Sequence, residues 1–199
     1  MRIMSRGRSC VRAAAAAVLA LGVLAAPAGA DFPAPDDAEP QAAALQEFQK
    51  RLADYVTMRT DLAKRLEPLS PTASAAELST RQESLAAAIR STRKDARPGD
   101  LIPAGVAAQL RTTVANDFKA RTPEARKAAV REIAGGVALK INRAFPANAA
   151  LPTVPPLLLA KLPTLPDNLQ YRFVDRHLVI VDGDTQIIID YVPDVLPVP

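Results

Sequence analysis

The sequence predicts an α+β fold, about four N-terminal helices followed by a small antiparallel β-meander. Three observations carry this prediction. From residue 42 to about 134, apolar residues recur at spacings of three and four, in stretches bounded by proline, glycine or a capping residue. Three short apolar runs close the chain, separated by connections of hairpin length. Between these regimes lie Gly135-Gly136 and a segment rich in proline.

Segment 1–30 reads as a secretory signal peptide. Arg2, Arg6, Arg8 and Arg12 form a positive leader, Ala13 to Ala26 an apolar core, and Ala28-Gly29-Ala30 the small residues before a cut at Asp31. The apolar core has 14 residues, too few for a comfortable bilayer span, so no transmembrane anchor is expected in the mature chain. No paired arginines precede the core, and Cys10 lies ahead of it, not where a lipoprotein cysteine would sit. Export by the general secretory route, to a periplasm or outside the cell, follows from this reading.

The cut changes what composition implies. The chain holds 25 Lys+Arg against 21 Asp+Glu, but four of the basic residues are signal-peptide arginines, so the mature chain is balanced. A nucleic-acid partner is therefore not expected. Cys10 is the single cysteine, so the mature chain has no disulfide, thiolate ligand or cysteine nucleophile. No cofactor is expected. Trp is absent and aromatic residues make up 4%, which leaves few large anchors for a ligand or partner pocket.

Residues 31–41, with three prolines and four acidic groups, read as a flexible acidic leader. The helical region is placed at 42–136. Leu45, Phe48, Leu52, Tyr55, Leu62, Leu66 and Leu69 form the stripe of a first helix over about 42–67, stopped by Pro68. Arg59 occupies one slot of that stripe. It must either find a carboxylate that locks two elements together or snorkel from the stripe's edge. Ser74 and Glu77 form a capping box for a second helix, with Leu78, Leu85, Ala88, Ile89, Thr92 and Ala96 on one face and its end at Pro98-Gly99. A third helix opens at Pro103 and carries Val106, Ala107, Leu110, Val114 and Phe118. A fourth has Thr122 as N-cap and Pro123 at its first position, and closes at Gly135-Gly136.

The region 137–199 holds the proline-rich segment and the sheet, and is expected to form one domain with 42–136. Val137, Leu139 and Ile141 alternate as in a short strand. Residues 144–168 contain six prolines, with one helical turn at Leu157, Leu158 and Leu159 begun by Pro156. Strands follow at about 169–174, 177–182 and 186–192, joined by Asp175-Arg176 and Gly183-Asp184-Thr185. The last two are apolar at nearly every position, so both faces of the sheet should be covered. The helices would cover one, and the proline-leucine segment or another protein the other.

Few residues suggest chemistry. His177 is the only histidine. Asp175 and Asp190 lie near it in sequence, but no serine and no G-x-S-x-G accompany them, so a strand-start role is the simpler reading. Asp182-Gly183-Asp184 lacks the spacing of a calcium loop and suits a tight turn. No catalytic, cofactor-binding or metal-ligating residue is assigned. The densest basic cluster is Arg90, Arg93, Lys94 and Arg97 near the end of the second helix. It reads either as a docking surface for anions or acidic partners, or as a solvated face whose charges suit a helix C-terminus.

The stretch from Tyr171 through Asp182 (YRFVDRHLVIVD), with Ile187-Ile188-Ile189-Asp190 after it, resembles the closing β-hairpin of small exported bacterial proteins. It is also loosely similar to the end of the RcnB family of periplasmic nickel/cobalt-homeostasis proteins. The resemblance covers about 30 residues and implies an envelope or secreted protein, carrying no catalytic residue across. A metal-homeostasis role fits poorly with one histidine and no mature cysteine.

The sequence thus points to an exported, non-enzymatic cell-envelope protein, an interaction or accessory component with an envelope partner or a second copy of itself. A binding module for a small anionic or apolar ligand is the alternative, and a carboxylate-based hydrolase a third.

Overall fold

A proline and an acidic run start the first helix earlier than the periodicity of its apolar stripe suggests. In the computed structural model, which describes residues 35–133, 139–145 and 154–196, α1 spans Pro35–Lys64. Residues 35–41 of the expected flexible leader are therefore helical. Pro35 brings the fixed φ that suits a first turn, and acidic composition suits a helix N-terminus. The expected signal-peptide cut, at Ala28, Ala30 and Asp31, lies outside the described residues, as do Gly135-Gly136 and Val137.

Phe48, Leu52 and Tyr55 of the α1 stripe are buried, and Leu45, Leu62 and Leu66 pack half-buried around them. The helix stops at Lys64, four residues before Pro68. The Arg81 guanidinium donates to Ala63 O in the last turn of α1 at 3.0 Å and to Glu67 O just beyond it. Arg81 belongs to α2 (Ala75–Thr92), whose start is the expected capping box: Ser74 N–H donates to Glu77 at 2.7 Å and Glu77 N–H to Ser74 Oγ at 3.3 Å.

Only Leu85, Ala86 and Ile89 of α2 are buried; Leu78, placed on the same face by spacing, is 45% exposed. The helix ends at Thr92, not at Pro98-Gly99, because the Arg93 backbone leaves helical geometry as its side chain turns to the sheet.

Helix α3 (Ala104–Ala120) buries Val106, Leu110, Val114 and Phe118, one per turn. Each such side chain removed from water contributes about 1.5–3 kcal/mol. A Cβ at Gly105 would come within 2.9 Å of Ala44 Cβ, so this glycine sets the close approach of α3 to α1. Helix α4 (Pro123–Ile133) is capped by Thr122, whose Oγ1 accepts from Ala125 N–H at 3.2 Å. A single turn, α5 (Pro156–Leu159), follows.

Strands β1 (Leu169–Val174), β2 (His177–Asp182) and β3 (Ile187–Val192) form an antiparallel sheet in the order β1-β2-β3. The expected α+β architecture is therefore the observed one. Asp175 takes the left-handed conformation in the first connection (φ 53°), and Gln186 in the second (φ 51°).

Both faces of the sheet are covered. Leu169, Tyr171, Phe173, Leu178, Ile180 and Ile187 pack with the helices in the main core. Val174, Val179, Val181 and Ile188 pack on the other face with Phe145 and Leu139. Among the described residues, the proline-leucine segment divides: Phe145 packs on that second face, whereas Val154, Leu158 and Leu162 join the helical core. The strand expected at Val137, Leu139 and Ile141 is absent among the described residues; 139–145 is irregular and runs along the outer edge of β3. Asn142 N–H donates to Ile188 O at 2.8 Å, and Ile188 N–H to Arg143 O at 2.9 Å. Asn142 has φ 65°, which breaks strand alternation at the point where the segment bends back.

Candidate functional site

Two aspartates on the helix-facing side of the sheet are fully buried, and each gathers distant parts of the chain. A bulge decides where the second one points. Ile180 pairs with Asp190 but Val181 pairs with Ile188, so Ile189 is an extra residue in β3. Were β3 regular, strict alternation from Ile187 would turn Asp190 to the far face. With the bulge, Asp190 reaches the loop after α2. Its Oδ1 accepts from Gly99 N–H at 2.9 Å and Tyr191 N–H at 2.8 Å, and its Oδ2 from Leu101 and Ile102 N–H, both at 2.8 Å. Gly99 has φ 92°, a conformation that glycine adopts freely and that aims its N–H at the carboxylate. Burial pushes the Asp190 carboxyl above the usual carboxylate range, and the four N–H donors offset part of that rise.

Asp182 is held from the other side. Arg59 Nε donates to Asp182 Oδ2 at 2.6 Å, Tyr55 Oη donates to the same oxygen at 3.0 Å, and Thr185 N–H donates to Oδ1 at 3.0 Å. A second arm of Arg59 pairs with Asp184. The arginine on the apolar stripe thus finds the carboxylate it needs and locks α1 to the β2–β3 turn. The same contacts explain Asp182-Gly183-Asp184 as turn chemistry, with both carboxylates taken by Arg59. Arg93 completes the network: its guanidinium lies 5.3 Å from the Tyr55 ring centroid and donates to Ile189 O at 3.0 Å.

Tyrosine titration reports on this packing. Tyr55 is pushed above the ordinary tyrosine range by burial and by the Asp182 carboxylate, and Tyr171 by burial. Above pH ~10 the unfolded chain loses these two protons while the folded chain keeps them, so stability falls as pH rises. Each group contributes a slope of about 1.4 kcal/mol per pH unit. Urea unfolding between pH 9.5 and 11.5 should show the decline, and Tyr171→Phe should lessen its slope by that amount. An unchanged slope would contradict the burial of this hydroxyl.

His177, at the start of β2, accepts the Asp194 N–H on Nδ1 at 3.0 Å and meets Tyr191 edge-on at 6.3 Å. Neither Asp175 nor Asp190 hydrogen-bonds to it among the described residues. No group of three His, Cys, Asp or Glu side chains there could hold a metal ion. No described helix is long and apolar enough to cross a membrane.

The basic cluster read from sequence divides. Arg93 turns inward, and Arg97 stays exposed, its own N–H bonded to Asp100 at 2.7 Å. Arg90 and Lys94 face a groove of about 460 Å³ whose other side carries Lys140 and Arg143. Sequence reasoning missed the last two because 137–141 reads as a strand. Their only signal was two cations three residues apart beside the glycine pair.

A second groove, also of about 460 Å³, runs beside β1. Leu159, Leu162 and Leu165 line one side, and Gln170, Tyr171 and Arg172 the other. Leu157, at the adjoining turn, is 79% exposed and Leu159 is 48% exposed. Gly183 N–H donates to Asn168 O at 2.8 Å, which sets the alternation of the ladder. The peptide groups of Gln170 and Arg172 therefore face β2, and those of Tyr171 and Phe173 face outward. Among the described residues, no strand pairs with this outer edge.

No protein-family model, no curated protein and no solved structure matches the chain.

Proposed function

We propose that the chain is an exported, non-enzymatic component of the cell envelope that captures an extended segment of another polypeptide beside β1. One observation carries this reading: the outward-facing edge of β1 adjoins a leucine-lined groove. An edge strand supplies the backbone donors and acceptors for strand addition, and the groove takes alternate side chains of the added strand. The exposed Leu157 and Leu159 extend the apolar surface. Arg172, on the edge itself, suits an acidic residue in the bound segment. The signal-peptide pattern, and the resemblance of the closing hairpin to that of exported bacterial proteins, support the compartment.

Selection of a random peptide library against the mature chain should yield extended apolar sequences with an acidic position. Bound peptide should slow hydrogen exchange at the Tyr171 and Phe173 amides by tenfold or more. Leu159→Glu, an exposed change, should abolish capture without unfolding the chain. Selected peptides that protect another surface, or that bind Leu159→Glu equally well, would overturn the reading. For the export half, the protein recovered from its native envelope should begin at Asp31.

A further inference from the structure

We infer that the groove between the end of α2 and segment 139–145 binds a soluble polyvalent oxyanion of the phosphate class. It lies at the β3 edge of the sheet, opposite the β1 groove, so it stands independently of the polypeptide-capture reading.

Arg90, Lys94, Lys140 and Arg143 line this groove and no acidic side chain does. Six described cations outside the groove, Lys50, Arg51, Arg59, Lys64, Arg121 and Arg176, each sit in an ion pair. Among the described residues, none of the four groove cations does. Four like charges in one concavity repel one another, and a multiply charged anion is the group that reverses this.

The backbone that carries the four is also fixed in place. Segment 139–145 is pinned to β3 through Asn142, Arg143 and Phe145, the last donating its N–H to Gln186 O at 2.6 Å. It is pinned to α2 from both directions: Asn142 Nδ2 donates to Arg93 O at 2.6 Å, and Arg90 Nε donates to Asn142 O at 3.1 Å. The backbone carrying Lys140 and Arg143 therefore cannot swing away from Arg90 and Lys94 to relieve the repulsion. Arg90 anchors through Nε, which leaves its terminal nitrogens for a ligand. This is preorganisation of a charge cluster, which lessens the ordering cost of binding.

The groove's contents define the ligand class. Its volume falls within the range of small-molecule sites. The side chains offer charge and hydrogen-bond donors but no aromatic face, so recognition is of the anionic group itself and not of a base stacked beside it. A concave site with cations on two walls fits a compact di- or polyphosphate or phosphate ester better than a planar lipid surface.

The test uses the mature chain with inorganic pyrophosphate, at fixed ionic strength, read by calorimetry and thermal unfolding. Pyrophosphate is expected to bind with a dissociation constant below 1 mM, at least tenfold tighter than sulfate, and to raise Tm. The Lys94→Gln/Lys140→Gln pair should weaken binding at least tenfold and abolish the Tm shift. The same pair should leave the ligand-free protein as stable or more stable at low salt, since it removes repulsion. Arg143→Gln, a single exposed change, should weaken binding without affecting the fold. Equal responses to pyrophosphate and sulfate would overturn the inference, as would undiminished binding by the variants. So would capture by phosphatidylglycerol vesicles without binding of free pyrophosphate.

Discussion

Replacing Asp190 with alanine is expected to destabilise the protein by about 4 kcal/mol, because it strands donors that have no other partner. The N–H groups of Leu101 and Ile102 are buried and both point at Oδ2, at 2.8 Å each. A buried donor left unsatisfied costs about 1–3 kcal/mol. Two such groups set the main loss, and the half-buried Gly99 and Tyr191 N–H groups add less, since water can reach them. Relief of the buried charge offsets a part. Against a typical total of about 5–15 kcal/mol, a loss of this size leaves a marginal fold. Asp190→Asn should fall between, at about 2 kcal/mol: its single carbonyl oxygen serves one pair of donors while its NH₂ confronts the other pair. Urea unfolding of the three proteins checks the order. Hydrogen exchange at Leu101 and Ile102 should accelerate in the alanine variant ahead of the rest of the core. An alanine variant within 1 kcal/mol of the parent would mean that water, not Asp190, satisfies this loop.

The helical stripe was legible because burial and spacing agree: Phe48, Leu52 and Tyr55 in α1, and Val106, Leu110, Val114 and Phe118 in α3, recur at helical intervals and are all buried. The capping box at Ser74 and Glu77 was legible because it is local chemistry. The two-sided sheet was legible because its strands do not alternate. What escaped depends on pairing between distant residues. Ile187-Ile188-Ile189-Asp190 looks like one strand, and nothing within it shows the bulge that swings Asp190 to the helices; that shift is set by β2. Arg93 sits among Arg90, Lys94 and Arg97 with the same spacing and charge, yet a carbonyl of β3 and the Tyr55 ring draw it inward. Lys140 and Arg143 become neighbours of Arg90 and Lys94 only through the Asn142 clamp. Arg59 lay between these cases. Its position on an apolar stripe demanded a partner, and only the fold could supply Asp182.

That pairing yields the other large effect. Arg59→Met should destabilise the protein by about 3–5 kcal/mol, the range for breaking a buried ion pair from one side. The Arg59 side chain is 11% exposed and the Asp182 side chain 0%, so solvent screens little of the interaction. Removing the guanidinium leaves Asp182 with donors from Tyr55 and Thr185 but no countercharge. The double variant Arg59→Met/Asp182→Leu should recover much of the loss, because apolar groups of similar volume can replace a buried pair at little net cost. A double-mutant cycle should therefore give a coupling of at least about 2 kcal/mol. The second arm offers an internal control. Asp184 is 62% exposed, so Asp184→Asn should cost under about 1 kcal/mol although it meets the same arginine. Were the two aspartate arms to prove equal, burial would not be what gives the Arg59 contact its strength. A large coupling at Asp182 and a small effect at Asp184 would place the lock between α1 and the sheet at the buried carboxylate.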